Sequence, residues 1–168
     1  VESIDMDIQK KMIDALNVQM NKEMFSAYLY MAMSADCKVK GWNGASRWFF
    51  AQAQEELAHA RKFYEYILDR GERPVFDKMD KPQESWETLK SAFGAAMEHE
   101  KFISASILEL VGLAKDLGDV PTEIFLQWYV TEQIEEEASV DEILTKFSQV
   151  SETGNGLYML DKELGARE

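Results

Sequence analysis

The stretch Phe49–Tyr66, FFAQAQEELAHARKFYEY, decides how the rest of the chain is read. At helical spacing it presents one stripe: Ala45, Phe49, Gln52, Glu56, His59, Phe63 and Tyr66. The ends of the stripe are oily and its middle is a carboxylate and an imidazole. Three residues apart on a helix, Glu56 and His59 point the same way. A buried carboxylate without a partner is costly, so something must sit opposite it. A hydrogen bond between the two side chains would be the simplest answer for an isolated Glu-x-x-His. The other helices decide whether that answer suffices.

Toward the N-terminus, residues of about 7–39 are expected to form one helix. Ile13, Leu16, Met20, Glu23, Ala27, Tyr30 and Ser34 share a face, and Glu23 interrupts it near the midpoint. Gly41 can end this helix, and Asn43 is expected to cap the next, over 44–71. Glu72 to Glu84 contains Pro74 and Pro82 and has no helical period. About 13 residues without structure inside a compact domain need a reason. A helix of ~27 residues is roughly 40 Å long, and ~13 extended residues reach about 43 Å. The segment can therefore run the length of a bundle and start the third helix beside the start of the second, making the two parallel.

Ser85 is expected to cap a third helix over 85–117, with Thr88 at the capping-box position. Its stripe is Leu89, Phe93, Ala96, Glu100, Ile103, Ile107, Leu110 and Ala114, interrupted at Glu100. His99 lies on a neighbouring face and reads as a packing or surface residue. Gly118 ends this helix, and Pro121 suits the first position of a fourth, over 121–150. There the stripe is Leu126, Tyr129, Gln133, Glu136, Val140, Ile143, Phe147 and Val150, with Glu132 and Glu135 flanking its polar middle. A short helix over 156–166 needs a surface to pack on. The expected architecture is a single all-α domain, a four-helix bundle with one long crossover and a fifth C-terminal helix.

Each long helix thus carries a mid-stripe glutamate: Glu23, Glu56, Glu100 and Glu136. Helix midpoints coincide in depth whichever way the helices run, so the four carboxylates should meet beside His59. One histidine cannot satisfy four buried negative charges, whereas two divalent cations match them. Oxygen ligands with one imidazole suit iron or manganese and admit zinc. In the general pattern of di-iron carboxylate bundles, two helices give a single Glu and two give Glu-x-x-His. Here Glu56-x-x-His59 is intact, and the fourth helix reads Gln133-x-x-Glu136 instead.

The totals agree with a metal-handling globular chain. The 168 residues carry a net charge of −13, with 46% hydrophobic and 29% charged residues. Such a surface repels nucleic acid and attracts cations. No apolar run is long enough to span a bilayer. The N-terminal VESIDMDIQKK is polar and does not read as a secretory signal. The single cysteine, Cys37, excludes an intrachain disulfide and a Cys-x-x-Cys site. A reducing, cytoplasmic setting is the expectation. The nine methionines fall mostly at core spacing and read as packing residues.

Taken together, the segments NKEMFSAYLY (Asn21–Tyr30), AQEELAHA (Ala53–Ala60), EHEKF (Glu98–Phe102), FLQWYVTEQIEEE (Phe125–Glu137) and GLYMLDKEL (Gly156–Leu164) resemble the non-haem ferritins of bacteria and archaea. The resemblance covers nearly the whole chain. It implies a ferroxidase centre of two irons, one held by Glu23, Glu56 and His59, the other by Glu56, Glu100 and Glu136, with Gln133 close by. It implies a third, inward-leaning iron site of Glu55, Glu132, Glu135 and Glu136, and a tyrosine beside the centre at Tyr30. It implies oxidation of Fe(II) by O2 or H2O2 and storage of ferric mineral in a hollow 24-subunit shell. The missing second Glu-x-x-His separates the chain from bacterioferritins, whose haem-ligating methionine would fall at Leu57, so no haem is expected. The alternative is a di-iron oxidase or peroxide scavenger of the same family that stores no iron. Asp116, Asp119 and Glu123 are candidates for guiding Fe(II) inward.

Overall fold

A computed structural model describes residues 2–151 and 153–167, with side chains from residue 9 onward. The polar opening VESIDMDI falls outside the described side chains, as Glu152 does within the last loop. Among the described residues there are five helices and no strand: α1 (Glu2–Val39), α2 (Asn43–Asp69), α3 (Leu89–Leu117), α4 (Val120–Gln149) and α5 (Asn155–Leu164). None is long and apolar enough to cross a membrane.

Two separate apolar clusters fill the interior. One joins Met12, Leu16 and Met20 of α1 to Phe63 and Ile67 of α2, Ile103 and Ile107 of α3, and Leu126 and Tyr129 of α4. The other joins Tyr30 and Met33 of α1 to Trp48 and Phe49 of α2, Phe93 of α3, Ile143 and Phe147 of α4, and Leu157, Leu160 and Leu164 of α5. The start of α1 therefore meets the ends of α2 and α3 and the start of α4. This makes α2 and α3 parallel, and the crossover between them runs from one apolar cluster to the other. The mid-helix polar residues lie between the clusters.

The crossover is extended backbone, and its N–H and C=O groups need partners. Two asparagines one helical turn apart on α1 supply them. Asn17 donates to Arg73 O (3.2 Å) and accepts from Val75 N (2.7 Å). Asn21 donates to Val75 O (2.8 Å) and accepts from Asp77 N (2.9 Å). The two primary amides act like a neighbouring β-strand.

Three capping expectations are corrected. Ser85 does not cap α3, because its hydroxyl accepts from Lys40 Nζ (3.1 Å) and the next residue, Trp86, is buried with its N–H on Asp36 (3.1 Å). The chain stays extended until Thr88, which caps α3 in a reciprocal box with Ser91. Asn43 does not cap α2 and instead accepts from Lys38 Nζ (2.6 Å). The cap of α2 comes from Asp161 of α5, whose carboxylate accepts from Gly44 N (3.1 Å) and Ala45 N (2.8 Å). A negative group at a helix N-terminus is stabilised by the free N–H groups and the helix dipole. Finally, Pro121 falls second in α4, behind Val120, and Asp119 is the cap, accepting from Thr122 N (3.2 Å).

Gly44 makes the docking of α5 sterically feasible, since a Cβ there would lie 1.6 Å from the Asp161 carbonyl oxygen. Gly44→Ala is expected to lift α5 off α2. Trypsin cleavage after Lys162 should then accelerate severalfold, and the melting temperature should fall. Unchanged proteolysis would refute this account of how α5 is held.

Candidate metal centre

The four stripes place Glu23, Glu56, Glu100 and Glu136 in the layer between the two apolar clusters. Glu23, Glu56 and Glu100 are at most 1% exposed, and His59 and Glu136 are also buried. Among the described residues, three sets of ligand atoms each lie within 4.8 Å of one another: Glu23, Glu56 and His59; Glu56, Glu100 and Glu136; and His59, Glu132 and Glu136. Glu56 is shared by the first two sets, and His59 by the first and third.

Every fixed donor in this layer is neutral. Gln19 donates to Glu23 Oε1 (3.0 Å). Gln52 donates to Glu136 Oε2 (2.6 Å) and to Glu56 Oε1 (3.3 Å). The Tyr30 hydroxyl donates to Glu100 Oε1, and Gln133 donates to Glu100 Oε2 (3.1 Å). Such bonds hold the carboxylates in place without cancelling their charge. Tyr129 donates to the His59 carbonyl (2.7 Å), and Trp128 lies edge-on to the His59 ring at 5.4 Å.

Among the described residues, three buried side-chain atoms are left without a hydrogen bond: Glu23 Oε2, Glu56 Oε2 and His59 Nδ1. His59 Nδ1 is 3.2 Å from Glu56 Oε2 but poorly aligned for a hydrogen bond. Orphaned buried acceptors are rare and call for an explanation. All three belong to one ligand set, and a cation among them would satisfy them together. Oxygen donors with one imidazole fit iron.

Burial is the first cause of the raised proton affinity of these carboxyls, and for Glu23, Glu56 and Glu136 mutual repulsion adds to it. Glu23 is pushed well up by burial and by the charge of Glu56. Glu56 is pushed well up by burial and by Glu100 and Glu136. Glu100 rises through burial, offset by its bonds from Tyr30 and Gln133. Glu136 rises to about 7, through burial and then Glu100.

The remaining candidate residues divide. Glu132 joins His59 and Glu136, with His59 Nε2 at 3.6 Å from its Oε1. Glu55 and Glu135 fall outside the ligand sets and are exposed. The Glu55 carboxylate is paired with Arg167 at 2.6 Å. His99 is not in a ligand set; it bonds the Ser26 hydroxyl at 2.7 Å, and burial lowers its pKa to about 4. Asp119 is corrected as a guide for Fe(II): Arg70 neutralises it at 3.0 Å while it caps α4. Glu123 has Lys115 at 3.7 Å. Gln19, Gln52 and Arg167 were not singled out from sequence. Gln52 had a signal, since it lies on the α2 stripe one turn before Glu56. Gln19 lies one turn before Glu23 but off the stripe, and Arg167 follows the last helix.

The ferritin-like domain family profile matches residues 13–150. The bacterial non-heme ferritin of Escherichia coli O157:H7 is 39% identical over 157 residues, covering 94% of this chain and 95% of that protein. This chain belongs to the ferritin family. The bacterial non-heme ferritin of Staphylococcus epidermidis is 35% identical over 160 residues, covering 95% of this chain and 96% of that protein. An open-pore ferritin from the archaeon Archaeoglobus fulgidus superposes with a TM-score of 0.92 at 42% identity, covering 94% of this chain and 98% of that one. The ferritin fold therefore extends beyond the bundle to α5, which lies outside the family match but within the described chain.

The raised carboxyls give the metal-free ferritin a pH dependence of definite sign. A carboxyl whose folded pKa exceeds its unfolded value stabilises below the unfolded value and loses that contribution as pH rises through the folded one. For Glu136 the window runs from 4.5 to about 7, a loss on the order of 3 kcal/mol per subunit. The melting temperature of metal-free protein should fall as pH rises through this window, and saturating Zn(II) should flatten the fall. A melting temperature that rises across the window would contradict the buried cluster.

Proposed function

We infer that this ferritin oxidises Fe(II) at the intra-subunit centre and stores the ferric product as mineral inside a homo-oligomeric cage. The observation that carries the reading is the set of orphaned atoms on Glu23, Glu56 and His59, adjoining a second carboxylate set through Glu56. Family membership supports storage over the non-storing oxidase alternative.

Fe(II) is the substrate. Two ions side by side give up one electron each to dioxygen, which takes up two protons and leaves as hydrogen peroxide; peroxide can itself serve as oxidant. The roles of the residues follow from their bonds. Glu23, Glu56 and His59 form one site and Glu56, Glu100 and Glu136 the other, with Glu56 between them. Tyr30 and Gln133 grip both oxygens of Glu100 and so fix its orientation. Anionic oxygen ligands favour Fe(III) over Fe(II), which provides the driving force. Glu132, partly exposed beside His59 and Glu136, offers a carboxylate toward which ions can leave or arrive. In this reading 24 subunits form the shell and it resides in the cytoplasm.

Glu56→Ala should abolish rapid Fe(II) oxidation, because it removes the ligand common to both sites. Assembly should be intact, since the residue touches neither α5 nor the outer helix faces. Stopped-flow absorbance after mixing with Fe(II) in air measures the first, and size-exclusion chromatography the second. Wild-type kinetics in an assembled variant would reject the ligand assignment, and a small oligomer for the wild type would reject storage.

A further inference from the structure

Beyond the ligands, the segment after α5 reaches the residues that surround the centre. Arg167, just past α5, stacks its guanidinium 4.6 Å from the Trp48 ring. It donates to Gln52 Oε1 (2.9 Å), Trp48 O (3.4 Å) and Glu55 Oε2 (2.6 Å). We propose that Arg167 is a positioning residue of the metal centre and the built-in counter-cation of the neighbouring Glu55.

The first role follows from the chemistry of an amide. Gln52 has an accepting end and a donating end, and its side chain is buried. Arginine can only donate, so it claims the carbonyl. The NH2 must then face the other way, onto Glu136 Oε2 (2.6 Å) and Glu56 Oε1 (3.3 Å). Without Arg167 the amide is free to turn its carbonyl toward two carboxylates, where it repels them. The arginine thus acts on the ligands through Gln52 without touching them. Interactions of this kind fix the orientation of ligands and tune the affinity of a metal site.

The second role concerns Glu55. A guanidinium on its carboxylate leaves a metal ion no free oxygen pair there, and adds a positive charge that a metal ion must displace or approach. Arg167 therefore weakens any metal binding that needs Glu55 while supporting the two sites that use Glu56 and Glu136. Its placement depends on the docking of α5, since Asp161 fixes that helix to the start of α2. The docking of α5 is thereby tied to the geometry of the centre.

This proposal rests on the ferroxidase reading, and one experiment separates the two. Metal-free, assembled wild type, R167A and R167K are titrated calorimetrically with Zn(II). Wild type should show two tight sites per subunit and a weaker step. In R167A the weaker step should tighten, by up to about fivefold, because Glu55 is released, while the two tight sites weaken severalfold. A purely structural role would weaken every step together, and that result overturns the proposal. So does an R167A titration that matches wild type. R167K keeps the charge but has no fork to span Gln52 and Glu55. It should leave the third step weak while loosening the tight sites, and it serves as the deciding variant should R167A fail to assemble. A wild type lacking two tight sites would instead refute the metal-centre reading itself.

Discussion

Four carboxylates meet at one depth of the bundle, where no bulk water is available to screen their repulsion. The rest of the interior is arranged around that problem. Apolar clusters close the layer above and below, one built around Phe63 and Tyr129, the other around Phe49 and Phe93. The polar side chains that touch the ligands, Gln19, Gln52, Gln133 and Tyr30, are all neutral donors. A lysine or arginine in their place would neutralise the cluster and remove its affinity for cations. Neutral amides fix geometry and leave the charge for metal to balance. The guanidinium of Arg167 is kept one residue away, on Gln52 and Glu55.

The topology serves the same layer. A mid-helix residue sits at the same height in a helix running up or down, so four helices of similar length bring their centres together in any arrangement. What the long crossover adds is the pairing: α2 and α3 run parallel, and α1 packs chiefly with α2, as α3 does with α4. Glu56 and Glu100 then approach from parallel helices, Glu23 and Glu136 from the opposite direction. Glu56 occupies the position from which it can face both neighbours, which is why it belongs to two ligand sets.

Much of this was legible in the chain because helical phase is a local property. Stripes of apolar residues located the four helices, and their polar interruptions located Glu23, Glu56, Glu100 and Glu136. The reach of an extended segment against the length of a helix was enough to give the parallel pair. What sequence did not reveal depends on which distant groups meet. Ser85 and Asn43 are good caps by residue type, yet Lys40 and Lys38 claim their side chains, and α2 is capped from residue 161. Asp119 looked like a free acid until Arg70 was placed against it. Glu55 looked equivalent to Glu132, and only the fold sets Arg167 on the one and His59 beside the other. Gln19 and Gln52 lie one turn ahead of their glutamates, but which end of an amide faces inward depends on its other partner.

The asparagine ladder on α1 has a consequence for the surface. Asn17 and Asn21 grip the crossover solely by its main chain, at Arg73, Val75 and Asp77. The strap is thus held in register here through its main chain, and Val75, Phe76 and Met79 are exposed. At these three residues the attachment is made by the helix beneath and by the strip's own backbone, so it does not depend on which side chains Val75 and its neighbours present.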